Sequence, residues 1–171
     1  MKRLLLVALI AIGFGFSSTA QDFKMAHFSI DTLFNNMPSA AAASKMLQDK
    51  QTEEQDKIIL QNQTVQKMEE ELAKQAKDLP QGLLDIKKQE LAKEYQKLEK
   101  MQYDAQTTLE QYQVALNQPI IDRIMKAAKT VADRSGILYV IEMKNAVYCA
   151  GKDLTQEILK EALKLEKEGD K

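Results

Sequence analysis

The sequence predicts an α+β chain that is mostly α: a long antiparallel helical hairpin, or tentacle, projecting from a small β body built from both chain ends. Three observations carry this. A seven-residue apolar repeat runs through the middle of the chain and returns in mirror order beyond Pro80-Gln81-Gly82. Strand-like runs lie only near the ends, above all Ile137-Leu138-Tyr139-Val140-Ile141. Between them Lys, Glu, Gln, Leu, Ala and Met, all strong helix formers, dominate from Lys45 to Gln118.

The N-terminus is read first. Met1-Lys2-Arg3 is basic, Leu4–Phe16 is apolar or glycine, and Ser17-Ser18-Thr19-Ala20 places small residues ahead of Gln21. Residues 1–20 therefore read as a cleavable signal peptide, and the chain as periplasmic. The apolar run is 13 residues, short of the roughly 20 that span a bilayer. No cysteine follows the cut, so a lipid anchor is not expected. Removing 20 of the 171 residues leaves 151, with 22 basic against 25 acidic side chains and a net charge of −3. That length suits one domain. The charge balance gives no reason to expect nucleic acid or an anionic membrane as partner. Cys149 is the only cysteine, so no intrachain disulfide can form and stability has to come from packing or association.

Met25–Ile30 reads as the first strand, Asp31 as the cap of a short turn carrying Leu33 and Phe34, and Pro38 as its breaker. Ser39 is the expected cap of the outgoing helix. The outgoing repeat is Ile58, Val65, Leu72, Leu79, and the returning one Leu84, Leu91, Leu98, Ala105, Tyr112. A heptad of this kind marks the seam of a helix packed on another helix. With the tip at 80–82, mirror symmetry pairs Leu79 with Leu84, Leu72 with Leu91, Val65 with Leu98 and Ile58 with Ala105. The arm then occupies 39–118, and the body 21–38 with 119–171. Met68, Tyr95, Met101, Tyr103 and Leu109 lie off the strict seam; they widen the packing stripe, or some of them face a bound chain.

Past the arm, Pro119 marks a kink or a fresh helix start, followed by the stripe Ile120, Ile124, Ala127, Ala128, Val131 and a stop at Gly136. Ile137–Ile141 reads as a strand buried on both faces. Met143–Ala146 turns the chain, and Ala146-Val147-Tyr148-Cys149 returns as a further strand. Asp153 with Gln156 resembles a capping box opening a last helix. Three short strands make a poor domain alone, and Ile/Val-rich edges invite pairing with another copy. The candidate oligomerisation residues are Phe28, Ile30, Leu33, Ile137, Leu138, Val140, Ile141 and Val147.

Chemistry is sparse. His27 is the only histidine and Cys149 the only cysteine, so no zinc cluster, no nucleophile with a choice of bases and no Gly-rich phosphate loop can be assembled. A His27–Cys149 dyad is formally possible, but a strand cysteine is ordinarily an inert small hydrophobe. No cofactor, metal or enzymatic activity is expected.

The chain resembles the Skp/OmpH family of periplasmic chaperones over residues 21–171. The resemblance is carried by Ile120-Ile121-Asp122-Arg123-Ile124-Met125-Lys126-Ala127-Ala128-Lys129-Thr130-Val131-Ala132, by Gly136–Ile141, by Asn145–Tyr148 with Asp153-Leu154-Thr155, and by Ala26–Asp31 with Leu33-Phe34. It implies a jellyfish-like homotrimer, with a small β-barrel body and three hairpins around a cavity. It also implies an ATP-independent holdase that keeps unfolded outer-membrane proteins from aggregating before membrane insertion. One departure matters. Known members have basic arms, whereas residues 45–118 hold eleven Lys and no Arg against fourteen Asp or Glu, with many glutamines. Lipopolysaccharide or membrane contact is therefore not carried over. A structural or adaptor coiled-coil protein of the envelope, binding one folded partner, is the second reading open at this point.

Overall fold

Two long helices dominate the computed structural model, which describes residues 24–169. The expected signal peptide, residues 1–20, lies outside them. The elements are β1 (Met25–Phe28), α1 (Ile30–Asn35), α2 (Pro38–Gln75), α3 (Gln81–Ser135), β2 (Tyr139–Glu142), a 3₁₀ turn (Met143–Asn145), β3 (Lys152–Asp153) and α4 (Thr155–Gly169).

The helix starts differ from expectation in instructive ways. Ser29, not Asp31, caps α1: its backbone is extended and its Oγ accepts from the Thr32 N–H at 3.2 Å. Asp31 falls in the first turn, where its charge suits the positive helix end. Helix α2 begins two residues earlier than a cap at Ser39 would allow, with Pro38 at its first position and Met37 at the cap. Proline is preset for that place and has no N–H to satisfy. Ser39 sits inside the helix, and its N–H donates to Glu166 Oε1 at 2.8 Å. The cap thus comes from α4, far along the chain. Pro119 does not start a fresh helix; α3 runs through it. Ala115 and Pro119 both lie on the exposed face, so the carbonyl that proline leaves unpaired can meet water. Gly136 closes α3 with φ 62°, the left-handed conformation glycine adopts without penalty.

The hairpin tip is also displaced. The turn is formed by residues 76–80, and Gln81 and Gly82 already belong to α3. Pro80 is extended, with φ −56° and ψ 142°, and hands the chain directly to the new helix. The inter-arm register moves with it. Gln61 Nε2 donates to the Glu94 carboxylate at 2.7 Å and approaches its carbonyl at 3.4 Å. Leu47 and Gln51 share a groove with Ala105 and Leu109, as do Met68 and Leu72 with Lys87 and Glu90. The mirror pairs expected from the sequence therefore slide by one heptad, setting Ile58 level with Leu98, Val65 with Leu91 and Leu72 with Leu84. Both registers keep apolar residues on the seam; the position of the turn selects between them.

The body is a parallel sheet of order β2-β1-β3, with Ala26 opposite Val140 on one side and Lys152 on the other. Helices α1, α3 and α4 cover it, burying Ala26, Phe28, Leu33, Ile124, Val131, Leu154 and Ile158 in one core with Met37, Ala40 and Ala43 from the root of α2. Two strand expectations are corrected. Ala146–Cys149 is not a strand; β3 lies further on, at Lys152–Asp153. A third strand parallel to β1 on its far edge requires the chain to cross over the sheet, and this crossing uses residues 146–151. Gly151 permits it, since a Cβ there would stand 2.7 Å from the Met25 carbonyl oxygen. Nor is the 137–141 run buried on both faces. The strand begins at Tyr139, Leu138 is 65% exposed and Tyr139 53%. As the edge strand of a sheet covered on one side, it leaves its other side open.

Candidate functional site

Two surfaces stand out, one on the body and one along the arm. On the body, the expected oligomerisation residues divide into two groups. Phe28 and Leu33 are buried core, and Ile30, Ile137, Val140 and Ile141 are half-buried, the first two and Val140 packing against that core. Leu138 and Val147 are exposed, Val147 fully. Val147 does not stand in a strand; it sits in the crossing segment. Met25, Tyr139, Met143 and Tyr148 are also exposed large hydrophobics, Met25 standing opposite Tyr139 in the sheet. Several apolar residues exposed within two short segments on and beside an edge strand are characteristic of an interface.

Along the arm, burial follows the seam. Val65, Leu98 and Ala105 are buried, and Ile58, Leu72, Leu79, Leu84, Leu91 and Tyr112 are half-buried. Of the four expected contact residues, Met68 and Met101 are half-buried beside the seam and fill out the packing stripe. Tyr95 and Tyr103 are exposed, Tyr103 at 72%. Tyr95 donates its hydroxyl proton to Glu69, and that bond raises its pKa above the ordinary phenol value. The geometry follows from helix side chains leaning toward their own N-terminus: in an antiparallel pair, those of the two arms lean toward each other.

The seam contains one buried polar residue that the apolar repeat did not point to, Gln61. Its bond to Glu94 holds that carboxyl below the usual carboxylate range. A heptad count through apolar positions alone passes over it, although it lies three residues after Ile58. Further toward the body, a groove of about 420 Å³ runs between the arms, floored by Leu47, Ala105 and Leu109 and rimmed by Gln51, Gln102, Gln106 and Gln113. At the arm root, Glu166 is buried, with Oε1 held by the Ser39 N–H and lying 3.6 Å from Arg123 Nη1. Nothing local in the sequence hinted at such a residue, since Ser39 offered itself as the cap.

His27 is buried in β1 with its Nδ1 unbonded, and Cys149 is half-buried in the crossing segment. No hydrogen bond joins them among the described residues. Among those residues there is also no cluster of acidic, His or Cys side chains able to hold a metal ion, and no helix long and apolar enough to cross a membrane.

A family model described as outer membrane protein (OmpH-like) matches residues 24–161. No curated protein matches the chain. Among solved structures, the fold is similar to that of a Caulobacter crescentus protein described as an outer membrane chaperone (OmpH-like). The TM-score is 0.73 at 9% sequence identity, over 82% of this chain and 84% of that one. At that identity the likeness is one of fold.

Proposed function

The chain belongs to the OmpH-like family of outer membrane proteins, and from that premise we propose that it is an ATP-independent periplasmic holdase, which binds unfolded outer-membrane proteins and keeps them from aggregating. The observation that carries this reading is the arm itself. Helix α2 has 38 residues, a length of about 57 Å at 1.5 Å per residue. Nearly all of the surface of the two-helix arm is solvated and carries neutral or alternating polar side chains, with scattered exposed hydrophobics such as Leu60 on α2 and Tyr103 and Val114 on α3. Such a surface can make many weak contacts along an extended chain without demanding a sequence, and it requires no catalytic group. With an arm net charge of −3, enclosure and short-range contact do the holding, in place of electrostatic attraction.

The body supplies the assembly. We place Leu138, Tyr139, Val147 and Tyr148 at the interface of a homotrimer whose hairpins surround a common cavity. Exposed edges of β2 and β3 and the apolar side chains beside them support this arrangement. The chain is then a released periplasmic protein, its residues 1–20 removed on export.

The test is suppression of aggregation. A urea-unfolded outer-membrane barrel protein, diluted into buffer with the purified mature chain at near-stoichiometric ratio, stays soluble. Continued aggregation at several-fold excess sinks the reading. A pull-down that returns one folded partner, without unfolded barrels, moves it to the adaptor. Light scattering tests the assembly: Leu138→Glu with Tyr148→Glu converts a trimer mass to a monomer mass while leaving the helical content intact.

A further inference from the structure

The groove near the root of the arm has an unusual chemistry. Its rim is made of neutral amides, Gln51 on α2 facing Gln102, Gln106 and Gln113 on α3, and its floor holds Leu47 and Leu109. One carboxylate, Glu110, borders it and already accepts from Gln106 Nε2 at 3.2 Å. The side chains of Gln51, Gln102 and Gln113 are exposed and make no hydrogen bond among the described residues. No Lys or Arg lines the groove, so it does not suit a phosphate, a nucleic acid or an anionic lipid headgroup.

We propose that this groove binds the main chain of an extended, unfolded polypeptide. The proposal rests on the holdase reading and names a place where it acts. Every residue of an unfolded segment except proline carries one N–H and one C=O, whatever its side chain. A glutamine amide offers two donors and an acceptor, so it can pair with either group. From Gln102 to Gln113 the helix rises about 16 Å, the length of about five residues of extended strand. Amides spread over that distance, about 6 and 10 Å apart on α3, can pair with peptide groups two to three residues apart along the strand, while Leu47 and Leu109 receive the apolar side chains that alternate along a barrel strand. The glutamine-rich, net-acidic arm thereby recognises what all unfolded clients share, in place of a charge pattern that only some carry. Residues 45–118 contain fifteen glutamines, and those of this groove are set apart by converging from both helices on one apolar floor.

The experiment uses the full mature chain and a fluorescently labelled, urea-unfolded outer-membrane barrel protein, with binding read by anisotropy. The groove variant is Gln51→Leu/Gln102→Leu/Gln113→Leu, and the control is Gln55→Leu/Gln63→Leu/Gln96→Leu, exposed positions outside the groove. The groove variant should bind about tenfold more weakly, the loss of two or three hydrogen bonds of ordinary net strength, although it is more apolar; the control should bind like the unmodified protein. Equal or tighter binding by the groove variant overturns the groove proposal and leaves the holdase reading standing. If the unmodified protein fails to bind the client at all, the holdase reading falls first. Should the groove variant lose helical content, a peptide pair decides. A short apolar strand segment binds the unmodified protein, and the same segment with alternate main-chain amides N-methylated does not; equal binding of the two overturns the proposal.

Discussion

The body and the arm solve the problem of stability in opposite ways. In the body Leu33, Ile124, Leu154 and Ile158 are completely buried, in contact with residues from both ends of the chain. Across residues 45–118 only Gln61, Val65, Leu98 and Ala105 are buried. A two-helix pair can hide one stripe of each helix and no more, so the arm depends on helix propensity and i,i+4 pairs and on being anchored at its root. The difference teaches where each property resides. The body holds the fold, and the arm keeps its surface available because it has so little of it to bury.

The largest effect tests that contrast directly. Ile124→Ala should cost about 2–5 kcal/mol, the transfer loss of the deleted methyl groups plus the cavity they leave. Leu72→Ala, at a half-buried seam position, should cost about 1–2 kcal/mol, because less apolar area is lost. Urea unfolding followed by circular dichroism measures both. Equal costs would break the comparison and mean that the arm is as cooperative as the body. Next in size is Gly151→Ala. The new Cβ would meet the Met25 carbonyl at 2.7 Å, backbone against backbone, and the crossing to β3 must shift at a cost of about 1–3 kcal/mol. A variant as stable as the parent would show that this crossing is not held where the structure has it.

The same contrast governs what could be read in advance. The arm was legible because one helix period repeats for many turns: the seam positions, the reversal near Pro80 and the polar outer faces all follow from spacing. Its register was not, because seam residues seven apart are interchangeable and only the place of the turn decides between them. Gln61, the one polar residue buried in the seam, escaped a count of apolar positions for a related reason. In the body the core stripe from Ile120 to Val131 was legible and the stop at Gly136 was too. The third strand was expected at Ala146–Cys149 and lies at Lys152–Asp153 because those two residues carry no strand pattern; their place is set by β1 and by the room left at Gly151. Glu166 was invisible for the plainest reason: a cap supplied from 127 positions away leaves no local mark. The glutamine groove fell between these cases, since the abundance of Gln was evident and its convergence was not.

Glu166 sharpens the comparison at the joint between the two regions. Glu166→Ala leaves the Ser39 N–H without its partner and Arg123 without its carboxylate. The expected cost is about 1–2 kcal/mol, the range for losing a helix N-cap. The structural signature should be local. Hydrogen exchange should quicken over the first turns of α2 and leave the distal arm as it was, and uniform acceleration along α2 would show that the root does not act as a separate clamp.

The smallest expected effect separates the arm's surface electrostatics from everything that is buried. Lys50, Glu53, Glu54 and Lys57 form a ladder of pairs between 2.6 and 3.0 Å on the outgoing helix. Bonds from Lys57, then Lys50, lower the Glu53 pKa from 4.5 to about 2. A carboxyl depressed in the folded state contributes stability that is complete above its unfolded value, and that contribution is lost as pH falls through the folded one. The ladder should therefore support arm helicity fully above about pH 4.5 and fade toward about pH 2. Because the charges are exposed, salt should weaken the effect at every pH. Circular dichroism of the parent against Glu53→Gln/Glu54→Gln isolates it: the two should differ most above pH 4.5 at low ionic strength and converge on acidification or on adding salt. A difference that survives both would have to come from packing, and the arm would then resemble the body more closely than its exposed seam allows.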